Sequence, residues 1–200
     1  MKKSDDIIIK QISIADLEHL HRLEVDAWGE KAAAMEEIER RIVLSGSSYY
    51  GAYSNDIMVG SFVYVKVRFD KVSERKWVEY LNHFEAEEKG ANCLYVVSLT
   101  AHPKAPRGVG RQLLSFANKI SSDMKLDYIA YGSRIPGYTK FKMKTSLSVE
   151  GYINKVKSGA VIDPVLSLAN LINFTIGDPI VDYYDDRESE NYGVIVFAEN

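Results

Sequence analysis

A mixed α/β fold is predicted: one twisted β-sheet holding antiparallel and parallel strands, with helices on both faces. Three observations predict it. "SYYGAYSNDIMVGSFVYVKVRF", 48–69, is two aromatic, β-branched runs joined around the turn-prone residues Ser54 to Asp56, which reads as a strand pair. "CLYVVSLT", 93–100, then a helical pattern, then "LDYIAY", 126–131, form a β-α-β crossover, whose two strands run parallel. "PIVDYY" and "YGVIVFA" close the chain as two further strands.

The elements follow in order. "DIIIKQIS" reads as a first strand, with Ser13 placed to cap a helix from Ile14 to Trp28 that carries Leu17 and Leu20 on one face. Gly29 breaks it. A second helix begins around Lys31, sets Met35, Ile38 and Ile42 on one side, and stops at Gly46. After the strand pair comes a charged insert, about 70–90, whose "KWVEYLNHF" reads as a helix plus loop. Beyond the buried strand, Val109, Leu113, Ala117 and Ile120 recur at near-four-residue steps, a core-facing helical stripe. "GSRIPGYTKFKMK" reads as a loop and leads an extended loop-helix insert, about 134–165. Ser148 and Asp163 are candidate helix caps, with Pro164 where a first turn favours proline. "DYYDDRESEN", 182–191, reads as a solvated acidic turn.

The 200 residues suit a single domain, 1–200. Apolar residues make up 46% and charged ones 26%, an ordinary globular balance. Twenty-five Lys and Arg against 28 Asp and Glu give a charge of −3, which excludes a general nucleic-acid binder. One cysteine, Cys93 in an apolar strand, excludes an internal disulfide and a cysteine-rich zinc site, and the four histidines form no HExxH-type pair to support a metal site. "MKKSDDIIIK" lacks the apolar core of a signal peptide, and no run reaches membrane-spanning length, so a cytoplasmic protein is expected.

The stretch between the parallel strands carries the chemistry. "HPKAPRGVGRQLL", 102–114, follows a buried strand, turns on Gly108 and Gly110, and opens a helix. Glycines let backbone approach an anion, and the first N–H groups of a helix lack internal partners at the positive end of its dipole. Lys104, Arg107 and Arg111 add charge there. A strand-to-helix turn needs flexible residues in any case, so spacing alone leaves the two readings open.

With that context, the sequence resembles the GNAT superfamily of acyl-CoA-dependent N-acetyltransferases. Their signature runs from an apolar strand through "HP" to Gln/Arg-x-x-Gly-x-Gly/Ala and a helix with paired leucines, and "VVSLTAHP" and "GVGRQLL" match that frame. "GSRIPGY", "DPVLSL" and "YGVIV" resemble the GNAT-type domain that some bacteria fuse to a nitrilase-like amidase. The similarity runs from about Ile8 onward. It implies a sheet whose central parallel pair splays to take acetyl-CoA or another acyl-CoA, with the acyl carbonyl between the strands at Val97 and Ile129. Leu99 and Ala101 would offer backbone groups to the pantetheine arm. Lys104, Arg107, Gly108, Val109, Gly110 and Arg111 would hold the pyrophosphate.

The sequence departs from that pattern twice. Four residues rather than five separate the "HP" proline from the first glycine, and Ala105 stands at the Gln/Arg position, so either Lys104 or Arg107 substitutes or the loop is tighter. Ala169 stands where many members place the tyrosine that protonates the thiolate, and Asn173-Phe174 replaces their Gly-Phe. Asparagine tolerates the left-handed conformation glycine would supply.

Candidate groups for the transfer remain. Side chains alternate along the strand, so Tyr95, Val97 and Leu99 share one face and Val96, Ser98 and Thr100 the other. Ser98 then either holds a water at the cleft or bonds within the sheet. Tyr138, after a rigid Pro-Gly turn, is either an acid or a surface tyrosine. Arg134 either pairs a substrate carboxylate or anchors its loop to an acidic neighbour. Glu24, Asp26 and Glu30 end the first helix near Trp28, where the superfamily often builds its acceptor site. The expected function is acyl transfer from acyl-CoA to a primary amine by direct attack. The alternative is a catalytically reduced CoA-binding or partner-docking module, in one version associated with an amidase. The sequence leaves the acceptor, the acyl length and the oligomeric state open, a dimer included.

Overall fold

The computed structural model describes residues 6–84 and 87–200. Residues 1–5, which bear on the reading of the N-terminus, and 85–86 of the charged insert lie outside the described residues. Seven strands, β1 (Ile8–Gln11), β2 (Tyr49–Ser54), β3 (Ile57–Val67), β4 (Cys93–Ala101), β5 (Tyr128–Arg134), β6 (Thr175–Ile180) and β7 (Gly193–Glu199), make one sheet. Their order is β1-β2-β3-β4-β5-β7-β6, and every neighbouring pair is antiparallel except β4–β5. The β-α-β unit legible in the sequence supplies that parallel pair.

Helices cover both faces. On one, α4 (Val109–Asp123), α6 (Val149–Lys157) and α7 (Leu168–Leu171) bury Leu113, Ala117, Ile153 and Ala169 with Leu94, Val96 and Ile129 of the sheet. On the other, α1 (Leu17–Trp28) and α2 (Met35–Ser45) bury Leu20, Leu23, Ile38 and Ile42 against Val63, Tyr95 and Ile195. The stripe on α4 packs as its period requires, because residues three and four apart share a face. It packs tightly against Gly60 of β3, where a Cβ would lie 2.8 Å from Val109 Cγ1 and 2.9 Å from Leu113 Cδ1.

Several expectations change. "KWVEYLNHF" gives only the short α3 (Trp77–Tyr80), continued by a 3₁₀ turn, because its indole is tied to the sheet: Trp77 Nε1 donates to Val97 O at 2.7 Å. "GSR" is strand rather than loop, since β5 keeps pairing with β7 as far as Arg134–Gly193, and α5 (Tyr138–Lys142) follows it. Ser148 caps α6, its hydroxyl accepting from Gly151 N–H at 3.4 Å. Asp163 Oδ1 takes the N–H groups of Val165 and Leu166 at 2.8 and 2.7 Å, in a turn that leads into α7. The 182–191 segment is not a solvated turn: Tyr183, Asp186 and Ser189 are buried, drawn in by Arg134, whose Nε donates to Asp186 Oδ2 at 2.8 Å. Asn173 has φ 58°, the left-handed turn expected of it.

Gly60→Ala should lower stability by about 1–3 kcal/mol, the usual cost of overpacking a tight core. A denaturant midpoint unchanged from the wild type would show that α4 does not press on β3 at this point.

Candidate functional site

The site begins with a register fault. Val63 pairs with Ser98 while Tyr64 pairs with Val96, so Val97 is an extra residue on β4, a β-bulge. A bulge reverses the faces of everything after it. Tyr95 and Val97 join the α1–α2 core, yet Leu99 packs on the α4 side and Thr100 reaches across to α1. The regular alternation expected along β4 therefore holds only up to Val97.

The parallel pairing of β4 with β5 ends just before the bulge, at Val96–Tyr131. Beyond it β4 stays with β3 to Ala101 and β5 stays with β7 to Arg134, so the two strands part. Ile129, opposite Leu94, lies in the closed part, so the gap opens between Val97 and Gly132, not at Ile129. His102 N–H bonds Val59 O at 2.9 Å. By alternation the backbone groups of Leu99 and Ala101 face the gap instead of β3.

A cavity of ≈ 270 Å³ occupies the gap and passes through the sheet. Leu114 and Leu168 line it on the α4 side, and Glu24, Trp28, Trp77 and Tyr184 line it on the α1 side. Ser98 and Arg134 border it as well. The glycine loop stands next to the α4 side. Gly108 precedes α4 with φ 92°, a conformation that calls for glycine. Gly110 is different: a Cβ there would meet only Leu168 Cδ2 at 3.7 Å and Leu99 Cδ2 at 3.8 Å, so neither backbone nor packing requires glycine. Lys104, Arg107 and Arg111 are exposed around it. Beside the loop, an open depression of ≈ 530 Å³ runs past Gly108, Arg111 and Phe116 to Ile9.

On the far side, Glu24 is 6% exposed. Thr100 Oγ1 donates to its Oε1 at 2.7 Å and itself accepts from Trp28 Nε1 at 3.0 Å. Burial holds the Glu24 carboxyl above the usual carboxylate value, while the Thr100 hydroxyl, Arg41 and His21 pull it down. The nearby cations are engaged: Arg41 with Glu37, Lys31 with Asp185 O and Asp186, and Arg134 with Asp186 and Glu188. Arg134, stacked 5.7 Å from the Trp28 ring, thus anchors its loop.

The structure brings Glu24, Trp28, Ser98 and Leu99 together at one cleft. Tyr138 does not join them. It is 3% exposed, packed between Tyr152 and Tyr192, because the turn that carries it folds inward onto α6. Asp26 stays at the surface, 3.3 Å from His102 Nε2. Sequence reasoning missed several cleft residues, Trp77, Tyr131, Tyr183 and Tyr184 among them. Tyr131 Oη is buried without a hydrogen-bond partner among the described residues, and Tyr183 closes the cleft's base. Nothing in the local sequence distinguishes either from a core tyrosine.

No protein-family model matches the chain. It is 25% identical over 208 residues to the uncharacterized N-acetyltransferase YkwB of Bacillus subtilis, covering 100% of this chain and 91% of YkwB. It is 24% identical to the probable hydrolase YhcX of the same organism, across 97% of this chain but only 39% of YhcX. Among solved structures it superposes on the GphF GNAT-like decarboxylase in complex with isobutyryl-CoA, with TM-score 0.81, 20% identity, and 96% and 98% of the two chains covered. The loading GNATL domain of CurA from Lyngbya majuscula gives TM-score 0.82 and 20% identity over 97% and 98%. The chain has the GNAT fold, with its mixed sheet and parted parallel pair.

The Glu24 environment has a thermodynamic consequence. The folded carboxyl binds its proton more tightly than the unfolded one, so its contribution to stability is fully present below pH 4.5 and is lost as pH rises through the higher folded value. Glu24→Gln keeps an acceptor for Thr100 and removes the buried charge. Its stability relative to wild type should rise as pH increases above 4.5. A difference in melting temperature that stays flat between acid and neutral pH would contradict the burial of a charged carboxylate.

Proposed function

We propose that the protein is an acyl-CoA-dependent N-acyltransferase that passes an acyl group, with acetyl the first candidate, to a primary amine by direct attack. The observation that carries this is the cleft through the sheet, with an anion-ready helix N-terminus beside one mouth and a buried carboxylate at the other. The residues present suit an acyl-CoA. Gly110 leaves room over the helix N-terminus, the Leu99 and Ala101 backbone groups face the gap, and the unpartnered Tyr131 hydroxyl awaits a polar group within the fold. The depression beside the loop offers space for the nucleotide end.

The chemistry then follows from the side chains. A protonated amine is drawn to Glu24 between the Trp28 and Trp77 rings. Glu24, with its raised proton affinity, takes one proton from the ammonium group and frees the nitrogen lone pair, which attacks the thioester carbon while a second N–H proton passes to water. The C–S bond breaks, the thiolate leaves with that electron pair, and solvent returns a proton to sulfur. Ser98, at the edge of the gap, is placed to hold a water for that exchange.

A second reading has its own support. Ala169 leaves the usual phenol out, and the match to YhcX takes in only part of a larger protein, so a CoA-binding module that docks beside an amidase is the alternative.

Calorimetry with acetyl-CoA should show binding to the wild type and none to Gly110→Glu, which puts a carboxylate where the pyrophosphate would lie. No binding to the wild type would overturn the proposal. Glu24→Gln should bind acetyl-CoA as the wild type does and lose about 10²-fold or more in kcat with a productive amine. Binding without transfer to any of a broad panel of amines would favour the module reading.

A further inference from the structure

Tyr183 is held with unusual completeness for a residue in a turn. Its ring lies where Gly132 of β5 and Gly193 of β7 have no side chains, and a Cβ at either would overlap it. Its N–H donates to Asn191 O at 3.0 Å, and its carbonyl accepts from Trp77 N–H at 3.3 Å. Its hydroxyl is hydrogen-bonded to that of Tyr95, which stacks 3.7 Å from Tyr80. Gly132 is the first residue of β5 after the pairing with β4 ends, so this phenol sits at the point where the strands part.

The two phenols bring two protons to one shared bond. Tyr95 is wholly buried and takes a backbone hydrogen bond from Gly132, so its own proton has one destination, Tyr183 Oη. The opposite orientation would strand a donor in the core. The Tyr183 proton is therefore the one left over, and Tyr183 lines the cleft. Burial raises the Tyr183 phenol above its ordinary value, so it stays neutral and donates without giving its proton up.

We infer that Tyr183 is a catalytic residue that donates a hydrogen bond to the acyl carbonyl oxygen, with Tyr95 as the positioning residue that fixes its proton. The inference rests on the acyltransferase reading above and deepens it. When the amine nitrogen attacks, the carbonyl π pair moves onto oxygen, and the Tyr183 hydroxyl stabilises that charge. When the pair returns, the C–S bond breaks and the thiolate carries its electrons away. A donor aimed at developing charge in a water-poor site is worth about 10²–10³-fold in kcat.

The test is isotope-edited infrared spectroscopy of acetyl-CoA labelled with ¹³C at the carbonyl and bound to the wild type, Tyr183→Phe and Tyr95→Phe. Calorimetry with CoA itself, which has no thioester carbonyl, serves as the control. The wild type should lower the carbonyl stretch relative to free acetyl-CoA, Tyr183→Phe should return it toward the free value, and Tyr95→Phe should fall between. CoA should bind all three alike. A stretch identical in wild type and Tyr183→Phe, with CoA still bound by both, would overturn the inference and leave the acyltransferase reading standing. Absence of binding to the wild type would remove both.

Discussion

The parting of β4 from β5 after Val96 and Tyr131 is the constraint on which the rest of the site depends. Each strand keeps its outer partner, β3 or β7, so the sheet stays continuous on either side while a wedge opens in the middle. The Val97 bulge turns β4 at the place where pairing stops, and the Tyr183 ring occupies the room over Gly132 on the other strand. The inward edges of both strands give up their mutual hydrogen bonds in the wedge. Unpaired backbone groups inside a protein are costly unless something else satisfies them. A polar, extended ligand carrying amide groups is the chemical complement of such an edge.

The walls of the wedge come from segments far apart in sequence. Trp77 of the charged insert ties itself to the bulge carbonyl. The 182–191 segment is drawn in by Arg134 and Lys31, both of which spend their charge on Asp186. These closures leave the cleft with aromatic sides and a buried carboxylate held by Thr100. The face reversal at Val97 is what allows Thr100 to reach Glu24. Without the extra residue, Thr100 would lie on the α4 side, and the Glu24 carboxylate would lose its hydroxyl partner.

The sheet and its parallel pair were legible because their signals are local and periodic: aromatic and β-branched runs, a glycine turn, and a four-residue stripe from Val109 to Ile120. The glycine turn before α4 was legible for the same reason, and Glu24 and Trp28, named from where the first helix ends, line the cleft. The bulge was not legible, because one additional residue leaves the pattern of "CLYVVSLT" unchanged. The setting of Tyr183 was hidden because it depends on glycines on two other strands and on a phenol 88 residues earlier in the chain. Tyr138 stood out by its Pro-Gly turn as a candidate acid, but that turn folds the ring onto α6 rather than into the cleft.

Under the proposed function, the wedge between β4 and β5 receives the acyl-bearing arm of an acyl-CoA. The most direct measurement is a crystal structure of the protein grown with acetyl-CoA. Pyrophosphate should lie against Gly108 to Arg111, pantetheine between Leu99–Ala101 and the β5 edge, and the thioester beside Gly132 and Tyr183. An ordered acetyl-CoA lying outside the parted strands, with its thioester away from Gly132, would contradict it.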